Sequence, residues 1–414
     1  MQSSPKHPRG GPSRILFVAE DITLAQVARP ASLAQSVFGL PGYEVHFACG
    51  AFPDVVFRDL EFPKWPLLTV DRIRLLDRIR AGHPLYTRDE LAAYVEADEQ
   101  LLRRVRPDLV VGDFRLSLGI SCRLRRVPYA ALMNAYWHPH HTEAFPMPVH
   151  ASLRWMNRYL GSGQARKHFD RALPFVLRAH ARASNRARRH HGLAPVRDLR
   201  HMLCDADYLL FPDPHELVPV GRHTRSQHFL GNVPWSPAID PSTFERERKG
   251  DDRWVYVTMG SSGSDAMLVP VLGMLRERGL QVFLASLGRP LPDVGWPGLH
   301  VYDMLPGDAV SRGARLVICN GGASTAYQAL SAGVPVLGLP ANLDQLWFMQ
   351  CVERASSGVA HRPDGPREGL ENALIRALTD PSLHKGAARV AGWIEKHNAF
   401  TAFRRFVDEL LGAL

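Results

Sequence analysis

Long apolar runs are missing from this chain. No stretch reaches the roughly 18 consecutive apolar residues that a membrane-spanning helix needs, so no integral membrane contact is expected. No secretory leader is expected either, because Met1 to Pro12 is polar and rich in proline and glycine, without an apolar centre. It reads as a disordered lead-in, and a cytoplasmic location is expected. Cysteine is scarce and scattered at Cys49, Cys122, Cys204, Cys319 and Cys351, with no Cys-x-x-Cys pair. That excludes a disulfide framework and a structural zinc site built on paired thiols. No Gly-x-Gly-x-x-Gly follows the first apolar strand and no Gly-Lys-Ser/Thr occurs, which disfavours dehydrogenases and P-loop enzymes.

What is present is an ordinary globular composition, 45% hydrophobic and 22% charged, over 414 residues. That length favours two domains. The net charge is +9, with arginine clusters at Arg72 to Arg80, Arg103 to Arg106, Arg123 to Arg126 and Arg182 to Arg189. Such a balance suits an anionic substrate, an acidic acceptor or a membrane surface. The clusters are interleaved with Leu, Ile and Ala at helical spacing, so they read as solvated helix faces and nucleic acid is not expected as a partner.

Hydrophobic patterning alternates between strand and helix along the chain. Arg14 to Ala19 and Tyr43 to Ala48 read as strands around a helix at about Ala28 to Phe38. Asp89 to Arg104 reads as a helix before a strand at Asp108 to Val111, and Ser117 to Arg125 as a helix before a strand at Tyr129 to Met133. A helical stretch from His168 to His191 carries an expected interruption at Pro174, and Tyr208 to Phe211 reads as a strand. Residues 231–252 are proline-rich and then charged, the composition of an interdomain linker. The alternation then restarts: strands at Trp254 to Met259, Gln281 to Ser286, Leu316 to Cys319 and Pro335 to Leu339, with helices at Ala266 to Arg278 and Ser324 to Ala332. Helices at Leu383 to His397 and Ala402 to Leu411 close the chain. The α/β alternation predicts two doubly wound parallel sheets, whose ligands sit at the carboxyl ends of the strands.

One segment carries most of the chemical information. Cys319-Asn320-Gly321-Gly322-Ala323-Ser324-Thr325 leaves a buried strand and opens a helix. Gly321 and Gly322 allow close backbone approach, while the helix N-terminus presents amides and hydroxyls to an anion such as a diphosphate. After the next strand, Asp344 and Gln345 stand in a loop on the same sheet edge, able to bond sugar hydroxyls.

Together these motifs resemble the donor signature of the UDP-glycosyltransferase superfamily (glycosyltransferase family 1, with its bacterial antibiotic and macrolide transferases). The pattern His-Gly-Gly-x-Gly-Ser/Thr, Glu-Ala-Leu, Gly-Val-Pro, Asp-Gln stands here as Asn320 to Thr325, Gln328-Ala329-Leu330, Gly333-Val334-Pro335 and Asp344-Gln345. The resemblance implies a GT-B fold: two Rossmann-like domains facing a cleft. It implies an acceptor-binding domain over 13–230, the linker, a nucleotide-sugar domain over 253–390, and terminal helices 391–414 packing back on the first domain. Carried over, Gly260, Ser261 and Ser262 approach phosphate or sugar, Met304 and Leu305 lie by the base, Thr325 binds phosphate beside Gly321, Gly322 and Ser324, and Asp344 and Gln345 hold the sugar. Three positions depart from the pattern: Asn320 replaces the phosphate-contacting His, Gln328 the ribose-binding Glu, and Gly307 the Gln after the base loop.

The family's catalytic His also has no counterpart. Gln26 occupies its place in Leu24 to Pro30, with Pro30 one residue late, and glutamine cannot act as a general base. Asp113 matches the family's His-orienting Asp. Candidates for the missing base are Asp113, Asp21, Glu20 or a histidine of Trp137-His138-Pro139-His140-His141, His138 first. The acceptor loop offers Asn134, Trp137, His140, Phe145 and Met147, lining expected for a small hydrophobic or aromatic acceptor. His138, His140 and His141 with Glu143 lack a second cluster, so no metal is expected. The resemblance implies an inverting, metal-independent transfer from a UDP- or dTDP-sugar, with the sugar nucleotide as co-substrate and no cofactor. Its main rival is a catalytically weak or silent member of the fold. An epimerase would need acid–base pairs around the anomeric carbon that the sequence does not display.

Overall fold

The computed structural model describes residues 11–147, 159, 161–247, 254–263, 265–289, 295–362 and 365–412. Residues 1–10 of the expected lead-in and 248–252 of the expected linker lie outside these.

Two parallel sheets organise the chain. The first contains β1 (Ser13–Ala19), β2 (Tyr43–Cys49), β3 (Lys64–Pro66), β4 (Leu109–Asp113), β5 (Tyr129–Leu132), β6 (Tyr208–Phe211) and β7 (Gln227–Phe229), in the order β3-β2-β1-β4-β5-β6-β7. The second contains β8 (Val255–Thr258), β9 (Val282–Ala285), β10 (Leu299–Tyr302), β11 (Leu316–Cys319), β12 (Val336–Gly338) and β13 (Gly358–Ala360), in the order β10-β9-β8-β11-β12-β13. Both are doubly wound. The order reverses between β1 and β4 in one sheet and between β8 and β11 in the other, and these switch points open crevices at the carboxyl ends.

Burial explains why the strands read as unbroken apolar runs. Ile15 to Ala19 are fully buried, with Ile15, Phe17 and Ala19 on one face and Leu16 and Val18 on the other. A parallel sheet covered on both sides demands this. The first face is covered by a helix at Leu24–Val37 and by the chain's last helix, Ala399–Leu411. Phe403 lies tilted 5.8 Å from Phe17, Phe406 lies 5.3 Å from Tyr208, and the Tyr43 hydroxyl bonds Asp408. The chain therefore crosses to the second sheet and returns to finish on the first.

Three local expectations are corrected. The long basic stretch is two helices, Ser162–His180 and Arg182–His190, broken at Ala181, with Pro174 inside the first. Pro174 and Asp170, four residues back, are both exposed, so water can satisfy the carbonyl that the proline ring orphans. Asp344 and Gln345 are in the first turn of a helix at Leu343–Arg354, not a loop, because Asn342 caps it by accepting from the Gln345 amide at 3.0 Å. The first helix begins at Leu24, where Thr23 and Gln26 form a capping box.

Phe403 has no exposed surface, so Phe403→Ala should cost about 3–5 kcal/mol in urea unfolding. Arg405→Ala on the exposed side of the same helix should stay within about 0.5 kcal/mol.

Candidate active site

Both switch points open into one cavity of about 900 Å³. The second sheet contributes Gly260, Ser261, Ser262, Met304, Leu305, Asn320, Gly322, Ser324, Thr325, Gln328, Asp344 and Gln345 to its lining. Gly321 sits behind this surface, at φ +74°, where a Cβ would stand 2.6 Å from Met349 Cγ. The helix Ala323–Ser331 starts at Gly322 without a side-chain cap. Its first-turn amides are therefore available to an anion in the cavity.

Side-chain amides brace these loops. Asn320 accepts from the Gly322 amide at 3.0 Å and donates to Ser262 Oγ at 3.3 Å. Gln345 donates to Ser262 Oγ at 3.1 Å and accepts from the Ala341 amide at 2.8 Å. Gln328 donates to the Trp235 carbonyl at 2.9 Å, drawing the linker residue Trp235 into the cavity wall. A Cβ on Gly307 would lie 2.2 Å from Gln328 Oε1, so the bare Gly307 makes room for this amide. Two departures from the family pattern are thus one steric event.

On the first sheet, Gln26 reaches the cavity, but its side-chain oxygen accepts from the Thr23 amide at 3.1 Å and lies 3.2 Å from the Thr23 hydroxyl. It caps a helix and cannot act as a general base. Asp113 lies at the carboxyl end of β4, beside Phe114, which is held at φ +59°. One turn beyond Gln26, Arg29 grips Asp113 with two donors, at 3.2 and 3.1 Å, and donates a third bond to Asn134 Oδ1 at 2.8 Å. Asn134 then donates to Asp213 at 3.0 Å, and Asp213 accepts from Tyr327 in the helix Ala323–Ser331 at 2.8 Å. Burial pushes the Asp113 carboxyl up to about 6, while Arg29 draws it down. Burial also raises Asp213.

A second bridge crosses the cleft at Asp344, whose Oδ1 accepts from the Tyr136 hydroxyl at 2.9 Å and from Trp137 Nε1 at 2.7 Å. Ser261 makes a third, accepting from the Leu24 amide at 3.3 Å and, through its carbonyl, from Arg72 at 3.0 Å. Sequence reasoning did not single out Arg29 or Tyr136. Helical spacing placed Arg29 beside Gln26, but its partners are 84 and 105 residues away.

Asn134, Trp137 and Phe145 line the cavity, while Met147, His140, His138 and Asp21 are outside its lining. His138 is set aside as a base: it is buried 3.0 Å from the Gln227 amide, and burial first, then neighbouring His140, lowers it to about 4. Glu20 is also set aside, being fully buried against Tyr94 and Arg115. His141 and Glu143 turn instead toward Cys351, whose sulfur lies 3.9 Å from His141 Nε2 and 3.7 Å from Glu143 Oε2. Beyond Asp113 the cavity continues as an apolar arm between two helices, with Leu76 and Ile79 on one side and Phe169, Leu173 and Leu177 on the other.

No family model matches the chain. It is 38% identical over 380 residues to a PGL/p-HBAD biosynthesis glycosyltransferase of Mycobacterium tuberculosis, covering 91% of this chain and 88% of that protein. It is 37% identical over 380 residues to a PGL/p-HBAD biosynthesis rhamnosyltransferase of Mycobacterium bovis, covering 91% and 83%. A shorter match, 38% over 263 residues and 63% of this chain, is to a Mycobacterium bovis protein named inactive, of which it covers 70%. Among solved structures, the spinosyn rhamnosyltransferase SpnG superposes with a TM-score of 0.66 at 18% identity, over 95% of this chain and all of that one. The glycosyltransferase SnogD of Streptomyces nogalater does so with 0.66 at 20%, over 96% and 99%. These likenesses establish the GT-B architecture.

Gly321→Ala adds a methyl both to a left-handed backbone and to Met349. It should lower stability by about 2–4 kcal/mol in a thermal melt, whereas Gly273→Ala, with open space around it inside a helix, should not destabilise.

Proposed function

The chain belongs to the family of the mycobacterial PGL/p-HBAD biosynthesis glycosyltransferases and is a glycosyltransferase, and from this premise we propose that it moves a sugar from a UDP- or dTDP-sugar to an apolar hydroxyl-bearing acceptor with inversion. The observation carrying the proposal is the single cavity that joins the uncapped helix terminus at Gly322 to Asp113 and the apolar arm. In this reading residues 13–230 bind the acceptor, 253–390 the donor, 231–252 connect them and 391–414 return to the first domain.

The diphosphate is held by the amides of Ala323 to Thr325 and the hydroxyls of Ser324 and Thr325, where the helix dipole favours negative charge. This stabilises the leaving group without a metal, and Asn320 contributes bracing where the family's His would contribute charge. Asp344 and Gln345 hold the sugar, with Asp344 exchanging its bonds from Tyr136 and Trp137 for sugar hydroxyls. Ionised Asp113 takes the proton of the acceptor hydroxyl. The acceptor oxygen bonds the anomeric carbon from the face opposite the diphosphate as the carbon–phosphate-oxygen bond breaks, and the nucleoside diphosphate departs toward the helix. Arg29 is a positioning residue that keeps Asp113 ionised at neutral pH. A weakly active or silent protein is the second reading, favoured by the helix-capping bond that occupies Gln26.

Two measurements follow. In a thermal-shift panel of UDP, dTDP, GDP, CDP and their sugar conjugates, UDP- or dTDP-sugars should raise the melting temperature. Asp344→Ala should reduce the shift for the sugar conjugate more than for the bare diphosphate; no shift with any nucleotide would support the silent reading. The second is the pH profile of kcat/KM. With Asp113 as base, activity should fall about tenfold per unit below pH 6, where the carboxyl is protonated. Arg29→Met removes the influence that lowers this carboxyl, so the acid limb should move to higher pH. A fall in kcat with an unmoved limb would exclude Asp113 as the titrating base.

A further inference from the structure

The apolar arm of the cavity reaches the surface between the helices Arg72–Ala81 and Ser162–His180. Its rim includes exposed His83 and Gly82 on one side and Ala172 and Val176 on the other, and Val176 lines the cavity while 47% exposed. Next to it, Phe175 is 69% exposed, and on the opposite helix Ile73, one turn before cavity-lining Leu76, is also 69% exposed. Large apolar side chains this open are unusual when they flank one opening.

The same two helices hold eight Lys and Arg (Arg72, Arg74, Arg78, Arg80, Arg166, Lys167, Arg171, Arg178) against two acids, Asp77 and Asp170, a net of +6. Some of this charge is compensated nearby: Arg74 and Arg78 pair with Glu90, and Arg166 pairs with Asp170. Lys167, Arg171 and Arg178 are exposed, and Arg178 lies 5.9 Å from the Phe175 ring. Protruding apolar side chains ringed by cations suit a surface that is apolar a few ångströms down and anionic above. Among the described residues no helix is long and apolar enough to cross a membrane.

We propose that these two helices form a docking platform for an anionic lipid bilayer, with Phe175, Val176 and Ile73 entering the interface and Lys167, Arg171 and Arg178 meeting lipid phosphates. The mouth of the apolar arm then faces the bilayer, and an apolar acceptor enters without crossing water. A nucleic acid would use the same charges but not the protruding Phe175 and Ile73, so a lipid surface is the better match.

The test is sedimentation of the full chain with vesicles of phosphatidylcholine alone or with phosphatidylglycerol at 7:3. Binding should require the anionic lipid and weaken as salt rises. Each basic residue at such a surface is worth a factor of about five, so the double variant Arg171→Glu/Arg178→Glu should lose about 25-fold or more. Phe175→Glu should lose about tenfold, with circular dichroism and melting midpoint unchanged, since the side chain is exposed. The proposal is overturned by equal binding to both vesicle types. It is equally overturned if Phe175→Glu leaves anionic binding intact, or if duplex DNA competes fully with the vesicles. None of these readouts involves sugar transfer, so they stand or fall separately from the assigned reaction.

Discussion

One arginine ties the wall of the cleft together. Arg29 is the cation through which the end of β4, at Asp113, is joined to the segment after β5 at Asn134. From there the bonds continue through Asp213 to Tyr327, on the helix whose uncapped N-terminus opens into the cavity. Two buried carboxylates with raised affinity for protons are tolerable only because donors surround them: Arg29 for Asp113, and Asn134, Tyr327 and the Ala135 amide for Asp213. Breaking such a set by removing a single partner strands a buried charge, a penalty of about 3–5 kcal/mol. In the proposed reaction stability and chemistry are therefore carried by the same atoms, and the two walls of the cleft are tied by a chain of bonds of 2.8–3.2 Å.

The departures from the family pattern have local physical explanations. Gln26, where the family pattern has a histidine, completes a capping box with Thr23, so the helix gains an N-terminal cap in place of a titratable ring. Gly307 and Gln328 are a complementary pair in which the missing side chain at one position houses the amide at the other. Asn320 exchanges charge for two hydrogen bonds that fix the glycine loop against Ser262.

Much of this was legible in the residues themselves. Parallel strands buried on both faces leave continuous apolar runs, and the loop Asn320 to Thr325 announces its geometry through two glycines before a helix. The limits are equally physical. A proline predicts a helix break at Pro174, yet solvent at Asp170 lets the helix continue to His180. Asp344 and Gln345 read as loop because the cap at Asn342 acts through one side-chain oxygen. His138 carries the residue type for base chemistry but is buried beside Gln227, a contact no local pattern encodes. Arg29 was silent because arginine in a basic chain is common, and its meaning comes from strands and loops far along the sequence.

The bond from Tyr327 to Asp213 also bears on recombination. Two sheets built from successive stretches of chain invite the exchange of one half for another. Here the seam of such a chimera would run through a buried carboxylate whose donors come from both parents. A donor half bearing phenylalanine in place of Tyr327 would leave Asp213 short of one of its hydrogen bonds. Compatibility of halves is thus a matter of one hydroxyl as much as of surface shape.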